Sequence, residues 1–269
     1  MLWKRKKKVE KPYRLGLVLS GGGARGYAHL GALKALNERG IYPDIIAGTS
    51  VGSLIGVLYA DGYTPDEMFS YAKTVKLWEL VESTLPRDGI FKATGIGAIL
   101  RKYLRVRTFE ELKLPMNVVA SDIECGEVKV FNAGKIIPTV IASCSVPIVF
   151  TPVEIDGHHY VDGGLLKNFP VSAIREQCDK VIGIDISPVI SVKYDRSMKY
   201  IVERAMNYMV GANTMEERAA CDYLIESGEV SVYSLFDFKH VEEIYEKGYE
   251  AAARYLDANI ERLRKDFGI

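Results

Sequence analysis

The sequence has few cysteines, no excess of charge of either sign and no long uninterrupted hydrophobic run. Its 4 cysteines among 269 residues are widely spaced and form no C-x-x-C pair, so reduced thiols are expected rather than a disulfide framework. Lysine and arginine total 35, and aspartate and glutamate also total 35. No global basic field therefore indicates a nucleic-acid partner, and none is expected.

The N-terminus carries a basic run, Lys4–Lys8, but no apolar segment of signal-peptide length and no small-residue cleavage site. The most apolar stretch, Ile45–Ala60, is interrupted by glycine and serine and is too short to span a bilayer. The sequence therefore predicts a cytoplasmic protein with no signal peptide and no transmembrane segment. The basic run, with Leu2 and Trp3, is either a solvated tail or a peripheral contact with the anionic inner surface of a membrane.

The remaining composition suits a folded α/β domain. Hydrophobic residues make up 48% of the chain and charged residues 26%, which allows a large core. A short apolar run at Leu15–Leu19 leads into a glycine-rich loop and a helix, and a second run follows at Asp44–Ala47. This alternation predicts an α/β fold with a mainly parallel central sheet and helices on both faces. We expect one domain over residues 13–269, after a basic tail at residues 1–12.

The candidate nucleophile is Ser50, at the centre of the run Gly48-Thr49-Ser50-Val51-Gly52. This run lies between the second predicted strand and a predicted helix, where a G-x-S-x-G sequence forms a strained turn that exposes the serine hydroxyl. Gly48 and Gly52 would permit the tight turn. Because the pentapeptide is common by chance, a glycine-rich turn capped by serine is the alternative.

The glycine-rich loop after the first predicted strand has two interpretations. Its residues are Gly21, Gly22, Gly23, Ala24, Arg25 and Gly26. The spacing fits a dinucleotide site, but the acidic candidate Asp44 opens the second strand, whereas a ribose-binding carboxylate belongs at that strand's carboxyl end. The favoured interpretation is an oxyanion hole, in which the N–H groups of Gly22, Gly23 and Ala24 face the cleft of Ser50. The side chain of Arg25 would either add positive charge there or be solvated or ion-paired.

The sequence offers an aspartate as the base for the serine. Asp162 ends a predicted strand and is followed by Gly163 and Gly164. This pattern suits a carboxylate held on a tight turn with space around it, and it also suits an ordinary Asx turn.

A histidine is the competing candidate, and the chain has only 4 histidines. His240 follows a predicted strand at Val230–Leu235, and it would complete a triad in the chain order of α/β-hydrolases. His29 lies on a predicted helix face. His158 and His159 are adjacent in a predicted strand, so at most one of them can face a site.

Two long helices are predicted in the C-terminal third. The first, over about Ser197–Met215, carries a methionine-rich apolar face, for which core packing is favoured over contact with an apolar ligand. The second, over about Val241–Leu263, has one apolar face and one charged face, which indicates a structural role only.

Three motifs in this order, at residues 21–26, 48–52 and 162–164, resemble the patatin-like phospholipase family of bacterial type. Residues 142–147 also resemble a block of that family. The resemblance covers about residues 13–188 and leaves a helical part at 189–269. It implies the family's three-layer α/β sandwich and hydrolysis of a glycerophospholipid or another lipid acyl ester.

Carried over to this sequence, the resemblance makes Ser50 the nucleophile and Asp162 the base of a dyad that works without histidine. It makes the loop Gly21–Gly26 the oxyanion hole. Four further glycines would support these motifs: Gly48, Gly52, Gly163 and Gly164. No cofactor and no metal are expected.

The dyad requires an unusual carboxylate, because an aspartate with a pKa near ~4 is a weak base for a hydroxyl. Desolvation and a short hydrogen bond to Ser50 would help Asp162. Ser50 would attack an ester carbonyl, and water activated by Asp162 would then release the acyl group. The open alternatives are a Ser-Asp-His esterase, a non-catalytic lipid-binding protein and, least favoured, a nucleotide-binding oxidoreductase. The oligomeric state is not predicted.

Overall fold

The computed structural model of the chain describes residues 11–74, 82–83, 91–191 and 193–269. The predicted membrane contact of Lys4–Lys8 lies outside the described residues.

A central sheet of eight strands organises the molecule, and a separate two-stranded sheet accompanies it. In chain order the strands are β1 (Tyr13–Leu19), β2 (Ile45–Thr49), β3 (Glu82–Ser83), β4 (Phe91–Lys92), β5 (Met116–Asp122), β6 (Glu127–Phe131), β7 (Val153–Ile155), β8 (His158–Asp162), β9 (Cys178–Asp185) and β10 (Tyr223–Glu226). The central order is β10-β9-β1-β2-β5-β8-β7, with β6 also paired to β5, and β3 pairs with β4. Strands β10, β9, β1, β2 and β5 are mutually parallel, whereas β6, β7 and β8 extend the sheet by antiparallel pairing. The predicted mainly parallel sheet is confirmed.

Eight α-helices are described around the sheet: α1 (Tyr27–Glu38), α2 (Val51–Ala60), α3 (Pro65–Ala72), α4 (Thr94–Tyr103), α5 (Ile136–Ser143), α6 (Met198–Ala219), α7 (Val241–Ala258) and α8 (Ile260–Phe267). Helix α3 begins with the capping box of Thr64 and Glu67 and has proline in its first turn, as residue types at these positions favour. Helix α1 packs mainly against α7.

Alternate side chains of the central strands enter two cores on opposite faces of the sheet. Leu17, Leu19 and Ile46 belong to the larger core, which α1, α2, α5 and α7 cover. Val18 and Ala47 belong to a smaller core, which the segment 169–178 covers. Burial on both faces explains why these strands read as continuous apolar runs rather than as alternating patterns.

The structure corrects two predictions for the C-terminal third. The predicted strand at Val230–Leu235 is wrong, because a 3₁₀ helix at Gly228–Val232 occupies its first half and the last strand of the sheet is β10, at Tyr223–Glu226. The predicted helix over Val241–Leu263 is two helices, α7 and α8, that meet at Asn259.

The apolar face of α6 is exposed, whereas core packing is the favoured prediction for it. Met198 is 75% exposed, Ile201 49% and Met209 48%. The inner face of the same helix carries polar residues, among them Asn213, that bind the segment after β8. Within the described ranges, no helix has the length and apolar character needed to cross a membrane.

Candidate active site

Ser50 lies at the sharp turn between β2 and α2, in a backbone conformation that serine rarely adopts. Its φ is 53° and its ψ is −128°, outside the regions that L-residues normally populate, and such strain is characteristic of a nucleophile elbow. Its carbonyl accepts hydrogen bonds from the N–H groups of Ser53 (2.8 Å) and Leu54 (3.1 Å), so the helix begins directly at the serine. The prediction that Ser50 sits at a strand-to-helix turn is confirmed.

Glycine is required beside the serine because two backbones meet there. A Cβ atom on Gly52 would collide with the carbonyl oxygen of Leu19, at the end of β1. A Cβ atom on Gly48 would lie 2.5 Å from the carbonyl oxygen of Gly52. The two glycines therefore allow the elbow to sit against the neighbouring strand, as the motif predicts.

Asp162, the last residue of β8, is the hydrogen-bond partner of the serine. The Ser50 hydroxyl donates to its Oδ2 at 2.6 Å, and the N–H of Gly164 donates to its Oδ1 at 2.7 Å. Burial raises the pKa of the Asp162 carboxyl to about 6, and the hydrogen bonds from Ser50 and Gly164 oppose that rise. A carboxylate with this pKa is a better base than an ordinary aspartate and is still ionised at neutral pH.

Ser143 and Ser145 support the two members of this pair, and sequence reasoning gave neither a role. The Ser143 hydroxyl accepts from the Ser50 N–H at 2.9 Å and donates to the Val119 carbonyl at 2.6 Å. The Ser145 carbonyl accepts from the Asp162 N–H at 2.8 Å. Both serines lie in the block 142–147 that resembles the family. That resemblance marks the block, but it does not indicate which side chains in it support Ser50 and Asp162.

The turn after Asp162 is packed tightly between its neighbours. A Cβ atom on Gly163 would collide with the Val119 carbonyl oxygen, whereas Gly164 contributes the N–H that holds Asp162. The predicted supporting roles of these two glycines agree with that placement.

The glycine loop after β1 faces the same region, but only part of it is available as an oxyanion hole. The Gly21 N–H donates to the Asn168 carbonyl (3.0 Å), and the Ala24 N–H donates to the Leu235 carbonyl (2.8 Å). The prediction that Ala24 contributes its N–H is therefore wrong. Gly22 and Gly23 remain the candidate donors, since no acceptor for their N–H groups is found among the described residues.

The Arg25 side chain does not point into this loop as a free charge. It is 5% exposed, and its guanidinium donates to the carbonyls of Tyr233 (2.8 Å) and Ser231 (3.1 Å). The structure therefore shows neither the predicted positive charge in the oxyanion hole nor the alternative of a solvated arginine side chain. Arg25 instead fastens the glycine loop to the segment around the 3₁₀ helix at Gly228–Val232.

Two asparagines join the glycine loop to the turn after Asp162. Asn168 contacts the backbone of Gly21 through its carbonyl, and its N–H donates to Asn213 Oδ1 at 2.9 Å. The Asn213 amide donates in turn to the Gly164 carbonyl at 3.0 Å. The inner face of α6 thereby helps to position both sides of the site, and no sequence pattern pointed to these residues.

The four histidines have hydrogen-bond partners other than Ser50 and Asp162 in the described structure. His240 hydrogen-bonds the carboxylate of Asp237 at 2.8 Å and is exposed. His29 is buried against the Ser20 carbonyl, and burial lowers its pKa to about 4. His158 and His159 contact Asp122 and Glu124. The carboxylate of Asp162 meets Ser50 rather than a histidine, so the geometry does not support the predicted triad.

Asp44, the acid of the dinucleotide interpretation, lies away from the glycine loop. Its carboxylate accepts from the Leu15 N–H at 2.9 Å, at the start of β1 and therefore at the opposite end of that strand from Gly21. This placement agrees with the argument against a nucleotide site.

An apolar cavity of about 480 Å³ opens beside Ser50, within the range typical of small-molecule sites. Its walls come from α1, α2, α3 and α4 and from the segments 144–150 and 235–238. Its lining side chains include Leu54, Cys144 and Phe236. A hydrocarbon chain attached to an ester at Ser50 would find an apolar environment there.

Comparison with known proteins identifies the sequence pattern. The family model described as Patatin-like phospholipase matches residues 17–174. A patatin-like phospholipase domain-containing protein of Caenorhabditis elegans is 35% identical over 188 residues, which are 65% of this chain and 14% of that protein. An uncharacterized NTE family protein of Mycobacterium bovis is 35% identical over 60% of this chain and 45% of its own length. The chain thus spans less than half of the length of these relatives.

Solved structures share the fold at lower sequence identity. VipD from Legionella pneumophila has a TM-score of 0.55 at 18% identity, over 96% of this chain and 72% of its own. Human GIVD cytosolic phospholipase A2, solved in complex with methyl γ-linolenyl fluorophosphonate, has a TM-score of 0.55 at 11% identity, over 98% of this chain and 60% of its own.

Proposed function

This chain belongs to the patatin-like phospholipase family, and we propose that it is a serine hydrolase that cleaves carboxylic esters of phospholipids or related lipids. The observation that carries the proposal is the 2.6 Å hydrogen bond from the Ser50 hydroxyl to buried Asp162, beside an apolar cavity of about 480 Å³. A nucleophile, a base and a place for an acyl chain are the parts that ester hydrolysis requires.

In the proposed first step, Ser50 Oγ attacks the carbonyl carbon and its proton passes to Asp162 Oδ2. The N–H groups of Gly22 and Gly23 stabilise the negative charge on the carbonyl oxygen. The tetrahedral intermediate collapses as the carbon–oxygen ester bond breaks, and the leaving alcohol takes the proton from Asp162. The product at this stage is an acyl-enzyme on Ser50.

In the proposed second step, water attacks the acyl-enzyme and gives a proton to Asp162. Collapse of this intermediate releases the carboxylic acid, and the proton returns to Ser50. The raised pKa of Asp162, about 6, suits both directions of transfer, because the group must accept and return a proton within each step.

Covalent labelling tests the proposal directly. Methyl γ-linolenyl fluorophosphonate joins its phosphorus to a reactive serine oxygen as fluoride leaves, so intact-mass spectrometry should show one adduct on the wild-type chain. Ser50→Ala should abolish the adduct, and exposed Ser191→Ala should leave it unchanged. Equal labelling of the Ser50→Ala variant would refute Ser50 as nucleophile. Labelling without release of fatty acid from phospholipid vesicles would refute phospholipid as the substrate.

We further propose that the protein works in the cytoplasm, at the surface of a membrane. The exposed apolar side chains of α6, among them Met198 and Met209, and the basic run Lys4–Lys8 support contact with anionic lipid. Co-sedimentation with anionic vesicles should fall at least about tenfold in a Met198→Ser, Met209→Ser double variant, because apolar burial drives such binding. Tyr42→Ser, which removes an exposed aromatic residue elsewhere, is the matched control. Unchanged sedimentation of the double variant would refute the contact through α6.

A further inference from the structure

Five side chains with metal-ligating atoms gather where β5 turns into β6 and β8 begins. They are Asp122, Glu124, Cys125, His158 and His159. The residues come from two distant parts of the chain, and antiparallel pairing of Asp122 with Tyr160 brings them together. None of them lines the apolar cavity beside Ser50, so the group is separate from the proposed active site.

Three of these side chains already surround a common point. One ligand atom each from Asp122, Cys125 and His158 lie within 4.8 Å of one another, and His158 Nδ1 lies 2.9 Å from Asp122 Oδ2. In a tetrahedral zinc site, with bonds of about 2.0–2.3 Å, neighbouring ligand atoms are about 3.5 Å apart. Small rotations of the exposed Cys125 and His158 side chains would bring the three atoms to that spacing.

The carboxylate of Asp122 is held in place by its own turn. Its Oδ1 accepts hydrogen bonds from the N–H groups of Glu124 at 2.9 Å and Cys125 at 3.0 Å. These bonds fix the orientation of the group and leave Oδ2 directed at His158. Hydrogen bonds of this kind, which orient a ligand from behind, are a regular part of metal sites in proteins.

Glu124 is placed to complete the coordination. Its Oε2 is 3.7 Å from His158 Nδ1, and its Oε1 is 2.7 Å from His159 Nδ1. The exposed glutamate therefore lies next to His158, and a side-chain rotation would bring it to the group, while in the structure His159 orients it. Two carboxylates and a cysteine side by side carry negative charge when the thiol is ionised, and a bound dication would compensate it.

We propose that Asp122, Cys125 and His158, with Glu124 as fourth ligand, bind one divalent zinc-class ion at the β5–β6 turn. A thiolate and an imidazole select zinc, cobalt or a similar ion over magnesium and calcium, which prefer oxygen ligands. The ion ties the turn to the first residue of β8, the strand whose last residue is Asp162. It touches no reacting atom, and its contribution is to the rigidity of that strand.

Cobalt spectroscopy on the full chain, free of any affinity tag and stripped with a chelator, tests the site. One equivalent of Co²⁺ should produce a thiolate-to-cobalt charge-transfer band, and Zn²⁺ should displace it whereas Mg²⁺ should not. Cys125→Ser should abolish the band, and His158→Gln should weaken Zn²⁺ binding at least tenfold by calorimetry. The matched controls are Cys221→Ser and His240→Gln, which alter the same residue types elsewhere and should bind as wild type does.

Loss of metal binding can be distinguished from misfolding, because Cys125 and His158 are exposed and their variants should fold normally. Zinc should also raise the melting temperature of the wild type and of both controls, but not of Cys125→Ser. Absence of the cobalt band in wild type, or its loss in Cys221→Ser with retention in Cys125→Ser, would overturn the assignment. Since hydrolysis of esters is not the readout, failure here would leave the proposed Ser50 chemistry untouched.

Discussion

Asp122 and Asp162 occupy similar positions at the ends of adjacent antiparallel strands, yet their surroundings give them opposite properties. In each, Oδ1 accepts the N–H of the residue two positions later. The second oxygen of Asp162 meets the Ser50 hydroxyl in a buried site, whereas that of Asp122 meets exposed His158. Burial raises the pKa of Asp162 to about 6. At Asp122 the backbone hydrogen bond from Cys125 is the leading cause that lowers the pKa.

The comparison shows that an aspartate on a tight turn acquires its function from burial and from the partner of its free oxygen. The turn itself supplies orientation in both places. A carboxylate that resists losing its charge suits a permanent ligand or an ion pair, and one with a raised pKa suits proton transfer.

The largest expected effect comes from removing the charge at one aspartate and then at the other. Asp162→Asn should lower kcat/KM for a medium-chain p-nitrophenyl ester by about 10³–10⁶-fold, as should Ser50→Ala, because each removes one member of a pair that acts as a unit. Asp122→Asn should stay within about threefold of wild type, as expected for a substitution outside the catalytic residues. Equal losses in Asp122→Asn and Asp162→Asn would contradict the division of roles between the two strands.

The pH dependence of hydrolysis also distinguishes Asp162, the proposed base, from Asp122. Asp162 must be ionised to accept the Ser50 proton, and its pKa is about 6. The value of log kcat/KM should therefore be level well above that pH and approach a slope of one unit per pH unit below it, which gives a fall of about 50-fold between pH 6 and pH 4. The profile of Asp122→Asn should coincide with that of wild type. A plateau extending to pH 4 would mean that Asp162 is not the base.

The free energy of unfolding should show the cost of burying that charge. The folded pKa of Asp162, about 6, exceeds the unfolded value of about 3.9. The folded state therefore binds the proton more tightly, and stability is lost as the pH rises from about 4 through about 6. Asp162→Asn should be more stable than wild type by about 3 kcal/mol at pH 8, since each pKa unit is worth about 1.36 kcal/mol.

The control for this measurement is the same comparison at pH 4, where protonated Asp162 and asparagine carry no charge. Urea unfolding should there give nearly equal free energies for wild type and Asp162→Asn. A variant that is less stable than wild type at pH 8 would show that Ser50 and Gly164 fully compensate the buried carboxylate.

A smaller effect is expected at Ser143, which supports the serine side of the pair. Ser143→Ala removes the hydroxyl that links the Ser50 N–H to the Val119 carbonyl and leaves both buried groups without that partner. The free energy of unfolding should fall by about 1–3 kcal/mol, and kcat should fall about tenfold as the elbow loosens. The exposed Ser191→Ala is the matched control. Unfolding and kinetics that match wild type would remove Ser143 from the supporting role.

Some features of the site could be predicted from the sequence and others could not, and the difference has a physical reason. The elbow at Ser50, the turn at Asp162 and the first two strands depend on local features, namely short apolar runs and glycines at close approaches. The elbow, the turn and the two strands could therefore be predicted from the sequence. The support from Ser143 and Asn213 depends on contacts between residues far apart in the chain, which no local pattern records.

The C-terminal third illustrates the limit most clearly. Val230–Leu235 has the alternation of a strand, yet Arg25 and the Ala24 N–H bind its carbonyl groups, and β10 already pairs with β9 at the sheet edge. The methionine face of α6 has the period of a buried face, yet the inner side of the helix is the polar one, where Asn213 binds Gly164. Periodicity identifies a face, but it does not identify what covers it.

The smallest effect is expected at His240, whose pair with Asp237 resembles the pair of His158 with Asp122 more than it resembles a catalytic base. His240 is exposed, and the hydrogen-bond partner that its imidazole has in the structure is Asp237, not Ser50 or Asp162. His240→Ala should therefore keep kcat/KM for the p-nitrophenyl ester within about a factor of two of wild type, as is usual for surface substitutions. A loss comparable with that of Asp162→Asn would restore the triad and make Asp162 the orienting group rather than the base.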